Sequence, residues 1–395
     1  MLRRHLLAAL GGLALAAPAL AQGQSQAPAE LLVTKQSFEI PRFTTQGGQT
    51  IPGLRIGYQT AGRLNAAGDN AVLIAHFFSG NSHAFGRYAP GGPPGYWDAI
   101  IGPGKPIDTD RYFVISADTP VNLNTGDPNT ITTGPASINP ETGRPWGLAF
   151  PVLSIRDFVE SQKALIDHLG VRRLALVAGA SMGALQTLEW AAAYPELVAR
   201  AMPVIGTDRM DAWLIGWLDI WAAPIRLDPN WRGGDYYGGS APAAGLAEAL
   251  KIVTLHARDH LWAATIGPRP ADGQDPRRAV TQRFQIEKWL DDAAAARARI
   301  SDANHFLYLV RANQLFLSGY ESPEAASARM RARFLVVPAL HDRVFPIEYN
   351  RRLIATLKAQ GREVDVVELD GPLGHLEGVV SMAKAGDAIR RLLAN

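Results

Sequence analysis

Residues 177–186 read VAGASMGALQ, so Ser181 stands among Gly179, Ala180, Met182 and Gly183 with little side-chain bulk around its hydroxyl. The pattern is G-x-S-x-G, which lets a chain reverse from a strand into a helix and raise the serine at the strand's end. A glycine-rich packing turn would use the same residues without any chemistry. A serine hydroxyl is a weak nucleophile until a base takes its proton, and that base needs an acid to orient it. In the chain order serine, acid, histidine, the partners lie downstream. His375, in DGPLGHLEGV, follows an apolar run ending at Leu369 and precedes a terminal helical pattern, where the base is expected to emerge. Asp342, in ALHDRVFP, follows the run FLVVP and is expected to orient it. Asp370 is the alternative acid, less well placed because it lies so close to His375 in the chain. The Met182 N–H, opening the next helix, and an N–H of HFFSGNSH, taken to be that of Phe78, are the expected donors to a carbonyl oxygen turning negative.

These groups need a scaffold, and the chain's alternation supplies one. Short apolar runs at Ala71–His76, Tyr112–Ser116, Leu174–Ala178, Ala201–Ile205, Phe334–Pro338 and Val364–Leu369 fit strands covered on both faces. Between them lie helical patterns. The clearest begins at Ser154, where Ser154 and Asp157 resemble a capping box, and it stops at Gly170. Strand and helix alternating imply a mostly parallel sheet with helices on both faces. Two Gly/Pro/Asn-rich loops, 86–106 and 122–145, interrupt the alternation, and loops of that length are often functional. From 208 to 327 the pattern turns helical and rich in tryptophan, which predicts an inserted cap between two core segments, 22–207 and 328–395.

The N-terminus reads as a leader. Arg3 and Arg4 precede an apolar run from Leu6 to Ala17, and Ala19 and Ala21 complete an A-x-A site. The run is shorter than the ~20 residues a membrane span needs. Residues 1–21 are therefore expected to be a cleaved signal peptide and the mature protein periplasmic or secreted, with no stable membrane anchor. The paired arginines also suit the twin-Arg route. The 395-residue chain has no cysteine, which excludes a thiol nucleophile, disulfides and thiolate metal sites. Its net charge of +2 gives no sign of a nucleic-acid partner. No metal or dissociable cofactor is expected, since the remaining histidines form no ligand-spaced cluster.

Several longer stretches, namely AHFFSGNSH, GYWDAIIGPGKPIDTDRYFVISAD, TTGPASINPETGRPWGLAFPVLSIRDFVESQ, GASMGALQTLEWAAAYP and DPNWRGGDYY, together resemble the homoserine O-acetyltransferase family. The resemblance implies an α/β-hydrolase fold, a helical cap through which two copies dimerise, and a Ser-Asp-His triad. Matched by motif, the triad falls on Ser181, Asp342 and His375, with oxyanion amides at Phe78 and Met182. The departures concern the acceptor. The family places an aspartate directly after the histidine, where this chain has Leu376. It also places an arginine six residues before the Asp-Pro of the DPxW block, where this chain has Ala222, with Arg226 out of register. A zwitterion in a dry pocket needs both charges paired, so homoserine is a poor substrate candidate. The expected activity is hydrolysis of a small acyl ester or thioester through an acyl-enzyme. The alternatives are an O-acyltransferase with another alcohol as acceptor and a non-catalytic binding protein on the same scaffold.

Overall fold

The computed structural model describes residues 30–394; the expected leader lies outside them. The strands are β1 (Gln36–Thr44), β2 (Thr50–Ala61), β3 (Ala71–Ala75), β4 (Ile101–Gly102), β5 (Ile107–Asp108), β6 (Phe113–Ala117), β7 (Leu174–Ala180), β8 (Arg200–Val204), β9 (Arg333–Val336) and β10 (Val364–Val366). Eight of them form one sheet in the order β1-β2-β6-β3-β7-β8-β9-β10, while β4 and β5 pair separately. From β6 to β10 every pairing in that sheet is parallel; β1 and β2 are antiparallel additions at one edge.

The central strands are covered on both sides, which is why they read as continuous apolar runs. Along β3, Leu73 joins one core and Val72 and Ile74 the other; along β7, Val177 and Leu176 divide the same way. The first core is closed by α1 (Ile155–His168) and α2 (Met182–Ala193), through Phe158, Leu165, Leu188 and Trp190. The second takes Trp97 and the terminal helix, whose Ile389 and Leu392 are fully buried. Ser154 caps α1 as its sequence suggests. Its N–H donates to Asp157 Oδ2 at 2.7 Å and its hydroxyl accepts from the Asp157 N–H, and Gly170 follows at φ 78°. The antiparallel β1–β2 pair was not legible as apolar runs, because β1 is a mostly exposed edge. The run expected at Val364–Leu369 forms regular strand only to Val366, with one further bridge from Ala339 to Leu369.

Between β8 and β9 the chain leaves the sheet and forms six α-helices: α3 (Ala212–Leu227), α4 (Ala243–His256), α5 (His260–Ile266), α6 (Gln285–Ala298), α7 (Ala303–Gln314) and α8 (Pro323–Arg329). These helices occupy the stretch in which the sequence predicts an inserted cap. Three helices follow β9: α9 (Ile347–Ala359), α10 (Glu377–Val380) and α11 (Gly386–Ala394). Among the described residues no helix is long and apolar enough to cross a membrane.

The small residues around Ser181 have a steric cause. A Cβ on Gly183 would lie 2.2 Å from the Ala75 carbonyl oxygen, and one on Gly179 would lie 2.5 Å from the Gly183 carbonyl oxygen. The elbow is thus pressed against the end of β3, backbone on backbone. Gly183→Ala is expected to lower the unfolding free energy by about 2–3 kcal/mol through overpacking, read from urea denaturation; an unchanged midpoint would show that the elbow has slack.

Candidate active site

Ser181 sits at the junction of β7 and α2 with φ 58° and ψ −119°. A non-glycine residue there is strained, by roughly 1–3 kcal/mol, and its neighbours must hold it. Its N–H donates to the Val204 carbonyl at 2.9 Å, which ties the elbow to β8. Although it is the N-cap of α2, its hydroxyl makes no capping bond. The oxygen is free for another partner.

That partner is His375. Its Nε2 lies 2.8 Å from Ser181 Oγ, and its Nδ1 lies 2.7 Å from Asp342 Oδ2. The other Asp342 oxygen accepts the N–H groups of Val344 (2.8 Å) and Phe345 (2.9 Å). With the carboxylate fixed as acceptor on both oxygens, Nδ1 is the protonated nitrogen of the imidazole and Nε2 accepts from the serine hydroxyl. Asp342 is 5 % and His375 6 % exposed, so water competes little for either bond. The alternative acid, Asp370, takes no part: it is exposed and approaches His341 at 3.4 Å. The loop carrying His375 is held by buried Glu377, whose Oε1 accepts from the Leu373 N–H at 3.1 Å.

Phe78 lines the cavity at Ser181, and Met182 follows the serine as the first residue of α2. Among the described residues neither of their N–H groups donates to another protein group. The orientation of the first is set by a residue that motif reasoning passed over. His76 is fully buried; its Nε2 accepts from the Thr119 N–H (3.0 Å) and from Asn122 Nδ2 (3.2 Å). Its proton is therefore on Nδ1, which donates to the Phe77 carbonyl at 2.8 Å. That carbonyl also accepts from the Gly80 N–H. In a trans peptide the carbonyl and the following N–H point to opposite sides, so His76 fixes the direction of the Phe78 N–H. Gln186 on α2 adds a second tie, with Nε2 donating to the His76 carbonyl (3.2 Å) and Oε1 accepting from Gln162 (2.6 Å). The far end of the loop is anchored by the buried pair Lys35–Asp118 at 2.6 Å. The signal for His76 was present, as a polar residue closing the run AVLIAH, but its partners lie in the 119–122 segment, which no local pattern connects to it.

The space in front of Ser181 is apolar and small, a cavity of about 30 Å3 bordered by Phe78, Leu214, Leu218, Trp221 and Phe345 among others. Its one ionisable group besides the serine is His256, the last residue of α4. Trp221 Nε1–H donates to His256 Nδ1 (3.1 Å) and His256 Nε2–H donates to the Arg343 carbonyl (2.9 Å), so that ring is neutral with both nitrogens engaged. Ala222 is fully buried, and Arg226 is at the surface paired with Asp219 at 2.7 Å, away from Ser181. Leu376 packs against the core. Among the described residues no group of histidines and carboxylates has the spacing of a metal site.

The model of the α/β hydrolase fold family matches residues 71–378. Homoserine O-acetyltransferase of Symbiobacterium thermophilum is 38% identical over 379 residues, covering 93% of this chain and 97% of that protein. Among solved structures, esterase E22 is 46% identical with a TM-score of 0.88, over 92% of this chain and 100% of that one. The chain belongs to the homoserine O-acetyltransferase family of α/β hydrolases. Homoserine O-acetyltransferase from Bacillus anthracis has the same TM-score, 0.88, at 34% identity, over 92% of this chain and 98% of that one. The protein is thus an enzyme of the acyltransferase or esterase type that this family contains.

Two buried imidazoles, His76 and His305, and the half-buried His256 carry a pH consequence. Burial pulls His76 and His305 below the ordinary histidine value and His256 down to about 4. In the unfolded chain each would take a proton below about pH 6.5. The folded value is the lower one, so this stability is complete above about pH 6.5 and is lost as pH falls toward 4. Melting temperature is expected to decline over that window, with a shallower decline in His256→Phe; identical slopes in the two proteins would exclude a contribution from His256.

Proposed function

We propose that this enzyme hydrolyses small acyl esters or thioesters through an acyl-enzyme on Ser181. His375 Nε2 takes the hydroxyl proton as Oγ attacks the carbonyl carbon, and Asp342 stabilises the imidazolium through Nδ1–H. The oxyanion of the tetrahedral intermediate is held by the N–H groups of Phe78 and Met182, a contribution of ~3 kcal/mol per donor. Collapse breaks the ester bond, and the leaving alkoxide or thiolate takes the proton from His375. Water then attacks the acyl-enzyme, giving its proton to the same nitrogen, and the acid leaves as Oγ is reprotonated.

The observation that carries the choice of water over homoserine is the lining of the cavity. Beside Ser181 it offers the neutral, fully engaged His256 and no carboxylate or guanidinium. An amino acid would enter with both charges unpaired, at a cost of several kcal/mol. Transfer to an uncharged alcohol remains the second reading, favoured by the acetyltransferase relatives. Added alcohols that speed turnover and yield a new ester would establish transfer; acetate release at an unchanged rate would establish hydrolysis.

Ser181→Ala is expected to lower kcat on a chromogenic acetyl ester by at least ~1,000-fold and abolish labelling by a fluorophosphonate. Asp342→Asn should retain the fold and lose about 10,000-fold, because the imidazole would then favour the wrong tautomer. Persistent labelling in Ser181→Ala would overturn the assignment. We also propose export, from the basic, apolar and A-x-A order of residues 1–21. N-terminal sequencing of protein from the native host should begin at Gln22, and an intact N-terminus would contradict this.

A further inference from the structure

Behind the small cavity at Ser181 lies a larger one, and two side chains line both. The outer cavity is about 590 Å3 and is bordered on its apolar side by Trp213, Leu255 and Pro346. Trp217 and His256 border it and also border the 30 Å3 cavity at Ser181. Their rings are stacked, with centroids 4.1 Å apart and planes at 27°. From the proposed acyl-enzyme reading and this placement, we infer that the Trp217–His256 pair is the end wall of the acyl pocket and restricts the enzyme to short acyl chains.

The pair is built to stay in place. Trp217 is held on α3, one turn before Trp221, whose indole N–H is bonded to His256 and whose ring also packs edge-on against Phe78 at 5.7 Å. The other imidazole nitrogen is bonded to the Arg343 carbonyl, next to the acid Asp342. Arg343 in turn reaches back to the cap, with its guanidinium 3.0 and 3.1 Å from Asp259 Oδ2. The wall therefore joins α3, the end of α4 and the loop that carries the acid. Its inner side leaves space on the scale of two or three waters, each needing roughly 10–15 Å3 by the same measure. Its outer side opens on a space nearly twenty times larger, 590 against 30 Å3. A longer acyl tail passing the two rings would meet the apolar surface of Trp213, Leu255 and Pro346, in a cavity that Arg258, Arg343 and Glu348 also line.

The test is the acyl-length profile of kcat/KM on p-nitrophenyl esters from acetate to decanoate, with the alcohol held constant. Wild-type protein is expected to prefer acetate or propionate. Trp217→Ala and His256→Ala should each raise the ratio of octanoate to acetate turnover by at least ~10-fold, the order set by apolar pocket contacts. His256→Phe keeps a ring of similar size while removing both hydrogen bonds, and should keep the short-chain preference. Each variant is first shown to be folded by its near-ultraviolet circular dichroism and to be labelled by a fluorophosphonate. Should one alanine variant not fold, the other alone decides. Folded, labelled alanine variants whose profile parallels the wild type would overturn the wall and leave the serine mechanism standing. Wild-type protein that is neither labelled nor active on any ester would overturn both.

Discussion

One strained residue organises this molecule. Ser181 is held at φ 58°, a conformation that L side chains avoid, and everything that meets there is arranged to make it the best available one. The Ala75 carbonyl at the end of β3 is pressed against Gly183 so closely that no Cβ fits. The Val204 carbonyl of β8 accepts the serine N–H. Strain of this kind survives only where surrounding structure over-determines it. Here three adjacent parallel strands and the first turn of α2 do so, and the same packing that fixes the backbone leaves the hydroxyl uncapped.

Around that point run two hydrogen-bonded lines with different tasks. One passes from the backbone amides of Val344 and Phe345 through Asp342 and His375 to the hydroxyl, and in the proposed reaction it sets the direction of proton movement. The other passes from the 119–122 segment through His76 to the Phe77 carbonyl, and it sets the direction of the Phe78 amide. Both use an imidazole whose tautomer is dictated by its neighbours. In the first, the nitrogen facing the serine is left as an acceptor; in the second, both nitrogens are consumed in structure. Two histidines in one site thus differ in role because of what surrounds them.

Much of this could be read from the chain. The parallel strands announced themselves because burial on both faces leaves uninterrupted apolar runs, and α1 because Ser154, Asp157 and Gly170 mark its ends. Ser181, Asp342 and His375 were found by order along the chain and position after apolar runs, which is information that strand-end geometry preserves. The strands β1 and β2 were not found: β1 is an exposed edge that needs no apolar run, and in β2, paired on both sides, Gly53, Arg55, Gly57 and Gln59 interrupt the buried apolar residues. His76, Gln186 and the Trp217–His256 wall were not found either. Each acts through partners distant in sequence, such as Asn122, Gln162 or Arg343, and the residue types alone carry no mark of the pairing. Ala222 and Leu376 could be singled out as sequence, while the position of Arg226 in a surface pair with Asp219 required the fold.

The proposal stands on a covalent bond forming at one oxygen, and that bond can be seen directly. Protein mixed with an acetyl ester, quenched in acid within the first turnovers and digested, should carry one acetyl group on the peptide that contains Ser181, at a level that decays when ester is exhausted. Steady ester hydrolysis with no acyl group on that peptide, or with the group on another residue, would contradict the account.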